Sequence, residues 1–257
     1  DRSNRARLSR QNRLRAKREG WQVIRLTNAL GAEKILPLTM SFRRVPLDIE
    51  VPSQPLYGRD GDVRTGKTTL RTRQFVLEGS IYYPNKERIR QELDSILSFL
   101  MHPPVEVYRQ RYHDRFLKAY PMGGLQDWLD AGSELQLRIP MVALDPYWYG
   151  QEVEVQVSGT QVIEVDGTAP AYPVITTVGS VSGLTISNAL TEQTITITDA
   201  DGVVKVDCYD YTVTADGVPC LNLVNENWLV EGFQLRPGQN EITTTAPITI
   251  TYRPRWY

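Results

Sequence analysis

Eight consecutive residues, Gly61-Asp-Val-Arg-Thr-Gly-Lys-Thr68, fit the nucleotide-binding pattern GxxxxGK[ST] at every fixed position. In that pattern the glycines let backbone amides close around phosphates, the lysine reaches the terminal phosphates and the hydroxyl holds magnesium. Gly61, Gly66, Lys67 and Thr68 would take those parts here. The chemistry needs an apolar strand before the loop and a helix after it, because the helix N-terminus supplies partial positive charge. Before Gly61 stands Gln54-Pro-Leu-Tyr-Gly-Arg-Asp60, with no apolar strand, and after Thr68 the run TLRTRQFVLEG has the two-residue period of a strand. A magnesium-holding acid is also missing, since VVKVD at Asp207 is interrupted by Lys205. The motif therefore reads as a decoy, a glycine-containing loop ahead of a strand. A P-loop protein is kept only as a remote alternative.

Other chemistry is as sparse. His102 precedes two prolines and His113 lies in the polar run RYHDR, so neither has the local partners of a metal site. Cys208 and Cys220 are too few for a disulfide framework or a four-thiolate zinc site and read as reduced thiols, with a bridge between neighbouring strands as the other option. The carboxylates are scattered, and no Gx-Ser-xG elbow occurs. No enzyme activity, cofactor or metal is expected. Tyr147-Trp148-Tyr149 and Trp256-Tyr257 fit a sugar-stacking platform, an interface anchor or a domain junction equally well.

Charge is unevenly placed. The formal net charge is -1, yet residues 1–20 hold Arg2, Arg5, Arg7, Arg10, Arg13, Arg15, Lys17 and Arg18 against Asp1 and Glu19, a net of +6. Residues 21–257 carry the balancing -7. With Leu8 and Leu14 as its large apolar residues, the arm has no stripe to bury. It is read as a solvated tail or as an assembly contact with an acidic protein surface. Nucleic acid ranks third, because no aromatic residues interleave the cations.

These residues are positioned by β-rich segments. Hydrophobic residues make up 41% of the 257 and charged residues 23%, as in ordinary globular proteins. No run reaches the ~18 apolar residues of a membrane helix, and the chain reads as soluble, unsecreted and made in a cytosol. Prolines 46, 52 and 55 suggest short strands and a loop. LRTRQFVLEGSIYY reads as a strand with Phe75, Leu77 and Ile81 on one face and an irregularity or bulge at Gly79. Asn85 is placed to cap a helix over about 86–101, whose Ile89, Leu93, Ile96, Leu97 and Leu100 share a stripe, and His102-Pro103-Pro104 ends it. ELQLRIPMVA alternates as a strand, and from Gln151 onward EVEVQV, VITTV, LTIS, TITITD, VVKVDC, YTVTADG and ITITY are short strands between Gly, Asn and Asp-Gly turns. The expected fold is mainly β with one α-helix, in two sandwich-like domains of which the first is α+β and the second all-β. The expected divisions are an arm at 1–20, a first domain at 21–150 and a second at 151–257.

The order of these pieces resembles a family. Arg71, Arg73, Phe75, Leu77, Gly79 and Ile81 in an RxRxFxLxGxI strand, the helix ERIRQELDSIL and the strand ending LDPYWYG look like the N-terminal domain of the distal tail proteins of long-tailed bacteriophages. DGTAPAYPVITTVG, LTISN, FQLRPGQNEIT and ITITYRPRWY are similar to that family's C-terminal sandwich. The resemblance implies a structural virion protein at the distal end of the tail. It also implies a ring, usually of six copies, whose N-terminal domain continues the tail tube and whose galectin-like or similar C-terminal domain points outward. The implied partners are copies of itself, the tail tube protein, a hub or tip protein and the tape measure protein, with no membrane. A carbohydrate-binding adhesion module is the alternative. The basic arm is not part of the family pattern.

Overall fold

The computed structural model describes residues 24–257 apart from 38, 47, 56–61, 67, 110–111, 124–125, 131–133, 226–227 and 229–231. The chain forms two compact units, ending at Pro146 and beginning at Tyr147. Tyr147-Trp148-Tyr149 therefore falls in the second. Both units are built mainly of strands, and the first carries the one α-helix among the described residues.

In the first unit the strands follow the order Glu33–Ile35, Ile24–Thr27, Val105–Arg109, Tyr112–Pro121, Glu134–Ala143, Arg73–Tyr82, Ser41–Arg44. Laid flat at about 4.8 Å per neighbour, seven strands would separate the outer two by about 29 Å. The chain joins those outer strands directly, from Ile35 to Ser41, and six residue steps reach at most about 22 Å. The sheet must therefore curl. Thr39 sits in this short link and its hydroxyl donates to the Ser80 carbonyl on the far strand. Arg73–Tyr82 and Glu134–Ala143 pair along ten residues without a break. Leu135, Leu137, Ile139, Met141 and Ala143 point inward opposite Phe75, Leu77 and Ile81.

That unbroken register corrects the expected irregularity at Gly79. The glycine is required by proximity instead, because a Cβ there would overlap the Thr39 carbonyl and the Met40 Cα. The curl brings this link across the strand, and only a residue without a side chain lets it pass.

The helix spans Lys86–Leu100, with the Asn85 side chain accepting from the Arg88 amide at 2.8 Å. Ile89, Ile96, Phe99 and Leu100 are buried, whereas Leu93 is half-buried and Leu97 is exposed. At about 100° per residue, Phe99 lies about 80° to one side of Ile89 and Leu97 about 80° to the other. The inward face is thus rotated toward Phe99, away from the stripe expected through Leu93 and Leu97. The helix lies against the edge strand, where the Lys34 ammonium is 2.9 Å from Glu92 and 2.8 Å from the Ser95 hydroxyl.

The second unit is organised by the fifteen-residue strand Gly238–Tyr252. One side pairs along its length with Val153–Val165, in a register that shifts between Val157 and Gly159. Pro247, which has no amide to donate, falls within that shift. On the other side the strand changes neighbours, with Ile242–Thr244 pairing Leu184–Asn188 and Ile248–Thr251 pairing Val174–Thr177. Val157, Ile175, Ile186, Ile195, Ile197, Val204, Val206, Ile242 and Ile250 from both halves meet in one core. Such buried aliphatic side chains contribute roughly 1.5–3 kcal/mol each before chain entropy is charged against them. A folded sheet around one core is the expected all-β second domain.

Candidate functional site

The GDVRTGKT segment lies on the return strand of a long hairpin. Ser41–Arg44 pairs with the end of Arg73–Tyr82 in a register that continues unchanged to Ile49↔Leu70 and Glu50↔Thr69. Beyond it, Ser53 pairs with Arg64 and Pro55 with Asp62. Two outgoing residues, Val51 and Pro52, thus face the longer return stretch between Arg64 and Thr69, and Gly66 and Thr68 of the motif fall in this bulge. Thr65 closes it by donating to the Pro52 carbonyl at 2.9 Å. Gly66 and Thr68 are exposed, and Gly61 and Lys67 lie outside the described residues. The described helix begins only at Lys86, beyond the whole of Arg73–Tyr82, so no helix N-terminus follows the motif. The prolines read as a loop instead punctuate a ribbon, in which 49–50 and 53–55 are strands. Glu50 and Arg71 clamp its base with two bonds at 2.6 and 2.8 Å, and the guanidinium holds the Glu50 carboxyl below its ordinary range.

In the second unit the aromatic run Tyr147-Trp148-Tyr149 and the chain's last residues form a clasp. Trp148 pairs with Trp256 and Tyr149 with Arg255, while the Tyr147 and Tyr257 rings stand 5.3 Å apart. Trp148 is buried. At the centre is a residue the sequence reading did not single out, Arg255, which is 4% exposed. Its guanidinium lies over the rings of Tyr147 at 4.1 Å, Tyr172 at 5.1 Å, Tyr149 at 5.5 Å and Tyr209 at 5.9 Å. It also donates to the Pro170 carbonyl at 3.1 Å. Its own carbonyl accepts from the amides of Thr168 at 2.9 Å and Ala169 at 3.0 Å. That close passage requires Gly167, whose φ of +118° and contact with Arg255 leave no place for a Cβ. Planar, weakly hydrated guanidinium is the cation suited to a box of aromatic faces. The signal in the sequence was an arginine set among aromatics in RPRWY, but its four partners come from three separate segments.

Both cysteines are free thiols. Cys208 is fully buried, and burial pushes its thiol well above the ordinary range, whereas Cys220 is partly exposed. His102 is exposed at the helix end, where its carbonyl accepts from the Ala29 amide. Among the described residues no three His, Cys, Asp or Glu side chains are grouped to hold a metal ion. No helix among them is long and apolar enough to cross a membrane. The eight cations from Arg2 to Arg18 lie outside the described residues.

Comparison with known proteins adds two findings. Residues 166–256 match the family model of the siphovirus-type tail component, C-terminal domain. The fold is similar to the crystal structure of SPP1 Dit (gp 19.1), described as a paradigm of the hub adsorption apparatus in phages infecting Gram-positive bacteria. That match has a TM-score of 0.72 at 18% identity and covers 91% of this chain and 100% of the other. No curated protein matches in sequence. The likeness to distal tail proteins thus rests on the family match in the second unit and on fold along most of the chain.

Proposed function

We propose that this chain, a distal tail protein by these likenesses, is a structural virion component. Copies of it assemble into a ring, of six by the family's habit, that joins the phage tail tube to a hub, tip or baseplate. The observation that carries the reading is the family match over residues 166–256. The architecture supports it: the first unit offers open sheet edges at Glu33–Ile35 and along its ribbon, and edges are where one chain continues into the next. The part played is mechanical, without catalysis or cofactor. The tube protein, the hub or tip protein and the tape measure protein are its expected neighbours, and synthesis precedes assembly in the host cytoplasm. Of the aromatic residues that fit a glycan platform, Tyr147 and Tyr149 instead pack around Arg255 and Trp148 pairs with Trp256, which supports an internal junction over an exposed sugar-stacking face. Negative-stain electron microscopy of the purified protein, with light scattering for mass, tests the proposal. Closed rings of uniform copy number are expected. A monomer at all concentrations, absent from isolated tails, would overturn it.

A further inference from the structure

Val153–Val165 pairs with Gly238–Tyr252 on one side and with no other strand among the described residues. An open edge invites a further strand, and proteins commonly blunt it with lysine, proline or a bulge. The bulge here is the register shift between Val157 and Gly159, where Gly159 takes a φ of +72°. It bends the strand sharply. Tyr252 is paired with Val153, yet its hydroxyl donates to the Glu164 carbonyl at 3.2 Å. In a straight strand the eleven steps from Val153 to Glu164 would span about 36 Å, far more than a tyrosine side chain can bridge. The fold-back spends the Glu164 carbonyl and leaves 153–157, the run VEVQV, as an edge without lysine or proline. Glu154 and Gln156 are exposed on one face of this run. Val153 and Val155 are half-buried on the other, packed against the core that Val157 enters.

We infer that the 153–157 edge takes an added strand from a different protein, an extended segment in which basic residues alternate with β-branched ones. The inference goes beyond the ring reading and does not depend on it. In strand addition the main-chain bonds supply affinity, and the alternating side chains supply specificity. The added strand continues the two-residue period, so its side chains beside Val153 and Val155 extend the apolar face while those beside Glu154 meet acid.

Charge names the occupant. Residues 151–166 hold four carboxylates, Glu152, Glu154, Glu164 and Asp166, and no basic residue. The bend gathers them at one end of the ribbon: Glu164 returns to Tyr252, and Asp166 is near enough to add to the burial that raises the Tyr252 hydroxyl's pKa. Arg253, 3.2 Å from Glu152, offsets one of the four. A second copy of this edge is a poor occupant, because pairing the edge with itself joins two acidic groups and like charges on neighbouring strands repel. The chain's own arm is a poor one too. Residues 1–20 are basic but hold no β-branched or aromatic residue, the types that favour strands.

The experiment titrates the full chain with labelled synthetic peptides, read by fluorescence anisotropy. One peptide alternates valine with arginine, one has the same composition with its arginines in a block, and one alternates valine with glutamate. The alternating basic peptide is expected to bind at least about tenfold more tightly than the block peptide and to slow hydrogen exchange over 153–157, and the acidic peptide is expected not to bind. Glu154→Lys should weaken binding at least about tenfold. Glu241→Lys makes the same charge change at an exposed residue paired with Val162, beyond the bend, and should weaken it less. Both substitutions are on the surface, and circular dichroism confirms that each variant is folded. Equal binding of the two basic peptides, or equal losses from the two substitutions, would reduce the effect to general attraction toward an acidic unit and overturn the site. Absent binding, or protection away from 153–157, would overturn it as well. Binding that appears only after residues 1–20 are deleted would mean that the arm already holds the edge, and would overturn a foreign occupant. Ring formation is scored separately by light scattering, so failure of the ring reading and failure of this edge are told apart.

Discussion

Replacing Arg255 tests whether the tyrosine box holds the second unit together. Arg255 is 4% exposed, and its guanidinium has four ring centroids within about 6 Å and donates to the Pro170 carbonyl. A desolvated cation–π contact is worth up to ~2 kcal/mol and an exposed one ~0.5–1 kcal/mol. Four rings sharing one cation do not add, so Tyr147 at 4.1 Å is given the largest part and the others a fraction. A charged hydrogen bond adds ~1.5–3 kcal/mol. Arg255→Ala should therefore cost about 3–5 kcal/mol, and Arg255→Lys about 1–2 kcal/mol, because lysine keeps the charge but not the planar fork. Arg255→Met keeps apolar bulk and removes the charge, which separates packing from cation–π attraction. Two units need not unfold in one transition, so denaturant melts should be joined to hydrogen exchange at the Thr168 and Ala169 amides, which bond the Arg255 carbonyl. If lysine and methionine both fall within about 0.5 kcal/mol of the parent, the box is ordinary packing and the argument from the guanidinium is refuted.

Two further outcomes follow from the geometry and a third from the charge pattern of the sequence. Ile96→Ala, at a site with no exposure, should cost about 2–5 kcal/mol, while Leu93→Ala on the half-buried flank should cost less, and equal losses in chemical denaturation would contradict the rotated helix face. One thiol per chain, Cys220, should react with a thiol reagent in the native protein. Cys208 should react only on unfolding, and because burial raises its pKa, the stability it lends is full below the ordinary thiol value of about 8.5 and declines as pH rises past it; a native stoichiometry of two counts against this. Deleting residues 1–20 should leave both units folded and lower the yield of rings or of tail attachment, most visibly at moderate salt, whereas normal assembly of the shortened chain would make the arm a solvated tail.

What was legible in the sequence was local. The Asn85 cap, the strand period through Leu135, Leu137 and Ile139, and the proline stop after His102 each need only a few neighbours, and each is in the structure as read. The flanks of GDVRTGKT were legible in the same way, but its actual setting was not, because Ser53–Pro55 and Asp62–Arg64 are held by pairing between strands that prolines and glycines disguise as loop. Gly79 looked like a break in its strand because its reason is a chain link forty residues earlier. Arg255 was overlooked for a similar cause: Tyr147, Tyr172 and Tyr209 reach it from distances no local window spans.

Charge links the parts. Read on sequence alone, an acidic body of net -7 faced a basic arm of net +6. Dividing that body at the observed boundary leaves residues 21–146 at +2 and puts -9 on residues 147–257. The net acidic charge that a cationic arm would need therefore lies in the second unit, while the first is close to neutral and exposes apolar groups such as Ile49, Val51, Leu30 and Met101. Contacts of these two kinds respond oppositely to salt: screening weakens the attraction of the arm over a Debye length of about 8 Å at physiological ionic strength, and leaves apolar burial intact or strengthened. A ring closed by the first unit should therefore persist in salt concentrations that release an arm bound to the second. Raising salt separates closure from attachment in a single preparation.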